Sequence, residues 1–194
     1  WDAAGRLVVG DDGGVHRTEN VYAASTSSGW ASLQNTYVAT QFYGAAGDGL
    51  TGKLYGGTQD NGTLRVLSGS TQANLPFGGD GGFCALDPTN PNYCYGEYVT
   101  LQIHRSTNGG LSAGYITSGL GDAGTNANFI APFILDPNNP NTMLAGGASL
   151  WRSTNVKAGS PTWQAIRAPG SDLISAIAVA QGNSAIIWVA QNNG

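Results

Sequence analysis

The chain has 194 residues, a net charge of −4 and a pI near 4.8. No basic stripe is present to neutralise phosphates, which argues against a nucleic-acid partner. Charged residues make up only 10%, yet 41% hydrophobic residues and five Trp supply enough to bury, which argues against disorder, and the longest apolar runs, 174–180 and 185–190, are far short of a bilayer span.

Thirty Gly, with Asn, Ser and Thr between short runs of Val, Ile, Tyr and Trp, describe short strands joined by tight turns. In chain order, residues 6–33 read as three strands, with His16-Arg17-Thr18 in the middle one and the last ending near Trp30. A strand around Leu64-Arg65-Val66 follows. Phe83–Leu86 and Tyr93–Gly96 then flank an Asx/Pro turn, a strand carries Arg105-Ser106, and another ends near Tyr115. The same series returns as Phe133–Leu135, Met143–Gly146, a strand around Arg152-Ser153 and one near Trp163. Ile177–Ala180 and Ile186–Ala190 begin it once more. No stretch keeps a helical period with caps.

The series is an internal repeat. Arg17, Arg65, Arg105 and Arg152 are 48, 40 and 47 residues apart. Leu86-Asp87-Pro88-Thr89-Asn90-Pro91-Asn92 returns 49 residues later as Leu135-Asp136-Pro137-Asn138-Asn139-Pro140-Asn141, and Asp11-Asp12-Gly13 returns 49 later as Asp60-Asn61-Gly62. Asn192-Asn193-Gly194 falls close to three periods further on. Four short strands per period predict an all-β fold, a β-propeller of four-stranded antiparallel blades with about four blades present. The expected division is a blade remnant at 1–35, blades at 36–78, 79–124 and 125–169, and the start of another at 170–194. Both ends carry a second strand, so the ring is expected to continue beyond the sequence; a closed four-bladed ring is the alternative.

The run Arg105-Ser106-Thr107-Asn108-Gly109-Gly110 resembles the Asp-box of bacterial neuraminidase-type repeats. Ser106, Asn108 and Gly110 match its first, third and fifth positions, with Asn in place of Asp, and Ser153 with Asn155 and Thr18 with Asn20 match more weakly. The resemblance places the chain beside sialidases, xyloglucan hydrolases and sortilin-like receptors, and implies an extracellular or cell-surface protein. The box residues are expected to be structural, the hydroxyl and the Asx side chain satisfying backbone N–H groups across a turn. The segment from Asp11 to Arg17 resembles the xyloglucan hydrolase stretch that carries one catalytic Asp, with Asp11 in its position. In that family the second Asp comes from a separate propeller.

Candidate sites follow from these motifs. Asp11 and Asp80 are candidate catalytic carboxylates for a glycoside, and Asp12, Asp60 and Asn61 are candidate ligand contacts, each weighed against plain turn-capping. A sialidase reading is disfavoured because the arginines keep step with the repeat rather than gathering in one pocket. Cys84 and Cys94 flank one turn and are expected to form a disulfide across a hairpin, two buried thiols being the alternative. No metal site is expected, His16 and His104 occupying equivalent, separate positions, although Asp122, Asn126 and Asn128 could offer oxygens to Ca²⁺. Asn61-Gly62-Thr63 is a glycosylation sequon, and Tyr95, Tyr98 and Tyr115 are candidate exposed aromatics for stacking on sugar rings. The expected function is a secreted or cell-surface binding or structural module with glycan or protein partners at its loops, joined to the remainder of its own longer chain. The alternative is a piece of a glycoside hydrolase.

Overall fold

The computed structural model describes residues 1–35 and 40–192. The expected start of the second repeat at residue 36 and the Asn193-Gly194 end of the last Asn-Asn-Gly marker lie outside the described residues. The chain divides into two compact units, Trp1–Gln41 and Phe42–Gly194. Among the described residues there is no helix, and so none long and apolar enough to cross a membrane.

The first unit holds one sheet, in the order β1 (Leu7–Asp11), β2 (Gly14–Thr18), β3 (Ala31–Ser32). The second holds three four-stranded sheets and a strand pair. These are β4 (Phe42–Gly47), β5 (Leu54–Thr58), β6 (Gly62–Val66) and β7 (Ala73–Phe77); then β8 (Cys84–Leu86), β9 (Cys94–Glu97), β10 (Ile103–Ser106) and β11 (Gly114–Tyr115). The next sheet is β12 (Phe133–Asp136), β13 (Asn139–Gly146), β14 (Leu150–Ser153) and β15 (Gln164–Arg167), and the pair is β16 (Ile174–Ala180) with β17 (Asn183–Gln191). Neighbouring strands are antiparallel and follow chain order, as meanders joined by tight turns must.

The repeat read from the sequence is a repeat of register. Each arginine sits on the third strand of its motif, opposite Val8, Tyr55, Tyr95 or Leu144 on the second. The first and second strands repeat as faithfully. Cys84 opposes Gly96 and Leu86 opposes Cys94; 49 residues on, Phe133 opposes Ala145 and Leu135 opposes Met143.

That register corrects the expected disulfide. Cys84 and Cys94 lie on one face of the sheet but diagonally, two positions out of opposition, and both are free. Diagonal pairs stand roughly 7–8 Å apart, beyond the span of a disulfide.

The core lies between sheets. Tyr95, Ile103, Ile116, Phe133, Met143 and Val156 are buried between β8–β11 and β12–β15, and a second cluster of Leu144, Leu150 and Ile174 joins β12–β15 to β16–β17. Tyr95 is fully buried, which corrects its placement among the exposed aromatics; Tyr115 is 52% exposed.

The arginines fasten this stack. Arg65 donates to Gly109 O at 3.3 Å, and Arg105 donates to Val156 O at 2.6 Å and Ala158 O at 2.5 Å. In both cases the acceptors lie in the turn after the third strand of the following sheet. Lys157 pairs with buried Asp87 in the preceding sheet, and Trp163 Nε1 donates back to Ile116 O at 2.8 Å.

Candidate functional site

The β1–β2 hairpin turns through Asp12 and Gly13, with Asp11 opposite Gly14 at its end. Asp11 Oδ1 accepts the Gly13 N–H at 2.8 Å and lies 3.5 Å from His16 Nε2. One carboxylate oxygen therefore fixes the turn while the side chain stays 54% exposed. Trp30, at the start of the return to β3, is 39% exposed, and its Nε1 donates to Ser25 O at 2.9 Å, which fixes the plane of the ring. Val9, Asp11, His16, Thr26, Ser27, Ser28 and Trp30 line a cleft of about 360 Å³ within the first unit. Asp12 is exposed on the turn beside it.

Asp60, Asn61 and Asp80 come together in the second unit. Asp80 Oδ1 accepts the Asp60 N–H at 2.9 Å, and Asn61 folds back on Gln59 O through its backbone N–H at 2.7 Å and its Nδ2 at 3.0 Å. Asp60 takes a φ of 60°, a left-handed turn. The segment Gly78–Gly82 is glycine-rich because it runs directly over the β5–β6 hairpin: a Cβ on Gly57 would meet Gly82 O at 2.0 Å, and one on Gly81 would meet Gly62 O at 2.4 Å. Thr63 of the sequon is buried against His104 Nε2 at 3.1 Å.

The Ser/Thr-x-Asn turns share one hydrogen-bond pattern. Ser106 Oγ accepts from Asn108 N and Gly110 N, and Asn108 Oδ1 accepts from Leu111 N and Ser112 N, both at 3.1 Å. Ser153 Oγ likewise accepts from Asn155 N, and Asn155 Oδ1 from Thr162 N at 2.9 Å, across a longer loop. Gly109 and Gly110 both carry positive φ, 74° and 85°. Asp122 Oδ2 is taken by Ser149 N at 2.7 Å and Trp151 Nε1 at 2.8 Å, Asn126 N bonds the Asp122 backbone carbonyl at 2.9 Å, and Asn128 Nδ2 is spent on Ile174 O at 2.9 Å.

Three buried groups were given no role by the sequence reading. Glu97 is fully buried and accepts from Leu101 N at 2.9 Å, Ala131 N at 2.8 Å and Phe83 N at 3.4 Å; burial pushes its carboxyl up to about 8. His104 is fully buried and stacked on Phe77 with ring centroids 4.1 Å apart, and desolvation lowers it to about 3. Lys53 is buried at the start of β5, with its ammonium among backbone carbonyls. For Glu97 the available signal was a lone acidic residue directly after the Tyr93–Gly96 strand run.

No protein-family model matches the chain, and no curated protein matches it in sequence. Solved structures do. The chain is similar to an ancestral GH74 enzyme at 15% identity and a TM-score of 0.60, over 79% of this chain and 22% of that one. It is similar to the GH74 xyloglucanase of Xanthomonas campestris at 16% identity and a TM-score of 0.55, over 97% of this chain and 31% of that one. The chain has a β-propeller fold. At such identities the likeness is one of fold, and the propeller blades described above span about a fifth to a third of the length of those enzymes.

Proposed function

We propose that this propeller binds polysaccharide outside the cell, in the cleft of Asp11, His16 and Trp30. The observation that carries the reading is the exposed indole of Trp30, fixed by its own hydrogen bond beside an exposed carboxylate. An aromatic ring offers an apolar face to the C–H side of a sugar, while convergent hydroxyls and a carboxylate orient its O–H groups. Val9 extends the apolar floor, and Thr26, Ser27 and Ser28 supply the hydroxyls. The likeness to GH74 enzymes supports a glycan as the ligand class, and the low charge of the chain suits a neutral polymer. The remainder of a longer polypeptide is proposed to sit beside this segment.

A second reading has Asp11 as one carboxylate of a glycoside hydrolase. It is favoured by the resemblance of its hairpin to the xyloglucan hydrolase segment. Among the described residues the lining of the cleft holds no second carboxylate, and hydrolysis needs a pair about 5–10 Å apart, so that partner would come from outside those residues. Binding is the reading the cleft supports by itself.

Affinity electrophoresis through xyloglucan, mixed-linkage β-glucan and mannan tests it. Retardation is expected in at least one gel, and Trp30→Ala should weaken it about tenfold, a loss of about 1.4 kcal/mol. Asp11→Asn should weaken it less. Unretarded migration of the parent chain in every gel, or an unchanged Trp30→Ala, would remove the cleft as the site; reducing-sugar release abolished by Asp11→Asn would move the balance to the hydrolase.

A further inference from the structure

In the second unit, a buried amine and a buried thiol meet between β4–β7 and β8–β11. Lys53 is 5% exposed and Cys94 is fully buried. Lys53 Nζ lies 3.6 Å from Cys94 Sγ, and the same ammonium donates to Pro91 O and, at 3.4 Å, to Gly109 O. Among the described residues no carboxylate oxygen forms an ion pair with it. The two carbonyls therefore fix the amine against the sulfur from the neighbouring sheet. Cys84, the other thiol, is turned to Gly82 O at 3.8 Å and sits out of register with Cys94.

The geometry points to Lys53 and Cys94 as an oxidatively formed covalent clasp, a Cys94 Sγ–O–Nζ Lys53 bridge that joins the two blades. The reaction takes a thiol, an ammonium group and one molecule of dioxygen. The S–H bond and two N–H bonds break, and S–O and O–N bonds form. One oxygen atom stays in the bridge and the other leaves as water, with one proton released to solvent. Sulfur and nitrogen each give up two electrons, which together reduce the dioxygen. One oxygen atom fills the present gap after a small inward shift of the lysine's terminal methylenes, and the carbonyls that hold the amine resist its withdrawal. Thiol reductants reverse the bond, so the clasp reports the redox state of the surroundings.

Peptide mapping by mass spectrometry, after incubation of the purified chain in air-saturated buffer, tests this. A linked species containing Lys53 and Cys94 is expected, heavier by one oxygen and lighter by two hydrogens than its parts, and released by dithiothreitol. Cys94→Ser and Lys53→Arg should abolish it, and Cys84→Ser should leave it in place. The parent chain needs no variant to give the answer. A Cys84–Cys94 disulfide, sulfur oxidation without linkage, or full alkylation of both cysteines after oxidation and unfolding would each overturn the assignment. None of these outcomes depends on whether a glycan is bound.

Discussion

Glu97 and His104 are ionisable groups buried without an opposing charge, and each ties stability to pH with opposite sign. Glu97 titrates near 8 in the folded chain against an ordinary 4.5, so the folded state holds its proton more tightly and stability falls as pH rises through that window. His104 titrates near 3 against an ordinary 6.5, so the unfolded state takes up the proton first and stability falls as pH drops from 6.5. Between about 4.5 and 6.5 the two slopes cancel. From these two groups, urea denaturation should give a plateau there with losses on either side. Glu97→Gln, which keeps the acceptor for Leu101 and Ala131, should remove the alkaline loss and leave the acid one. An unchanged alkaline limb in that variant would show that the carboxyl is not responsible.

Single residues also mark where sequence reading stopped. Asp87 and Asp136 were legible as turn formers, and both do cap their turns, through Thr89 N and Asn138 N at 2.8 Å. Their 49-residue spacing lies along the chain, where a reader can count it. The Lys53–Cys94 contact joins residues 41 apart on different sheets, and nothing local to either announces it. The disulfide expectation failed for a related reason. Two cysteines flanking a turn fix the strands that pair but not the register, and a shift of two positions changes opposition to a diagonal.

Among elements, the β5–β6 hairpin and the segment that crosses it show what glycine does here. Gly57 sits where any Cβ would enter backbone atoms of Gly81 and Gly82, which cannot rotate away. Gly119 has a φ of 84° but open space around it. Thermal or chemical denaturation should therefore show Gly57→Ala costing about 3 kcal/mol or more, and Gly119→Ala only about 1 kcal/mol from backbone strain. Equal losses would mean that strain, not close approach, governs both. Strand positions were readable from hydrophobic runs to within a few residues, as Ile186–Ala190 against the observed Asn183–Gln191 shows. The crowding at Gly57 was not readable, because the crossing segment comes from beyond the next two strands.

For the molecule as a whole, the arginine spacing was the most telling signal in the sequence, and the structure gives its cause. Two of the copies, Arg65 and Arg105, each reach the turn of the following sheet. Arg105→Ala leaves the carbonyls of Val156 and Ala158 without their donor and should cost about 1–3 kcal/mol. Its denaturation profile should also broaden, since coupling between neighbouring units is what makes a repeat array unfold as one. A sharp transition at unchanged midpoint would show that the apolar contacts alone hold the sheets together.

These fastenings have a direction. Arg65 and Arg105 both reach forward along the chain, each spending its guanidinium on the next turn. A protease cut in the loop after Asn155 would thus be felt backwards, freeing Arg105 in the sheet before it, whereas a cut between β6 and β7 takes no acceptor from any later arginine. Through its arginines the stack passes a loss toward the amino terminus, while Lys157 and Trp163, which reach back to Asp87 and Ile116, pass one the other way.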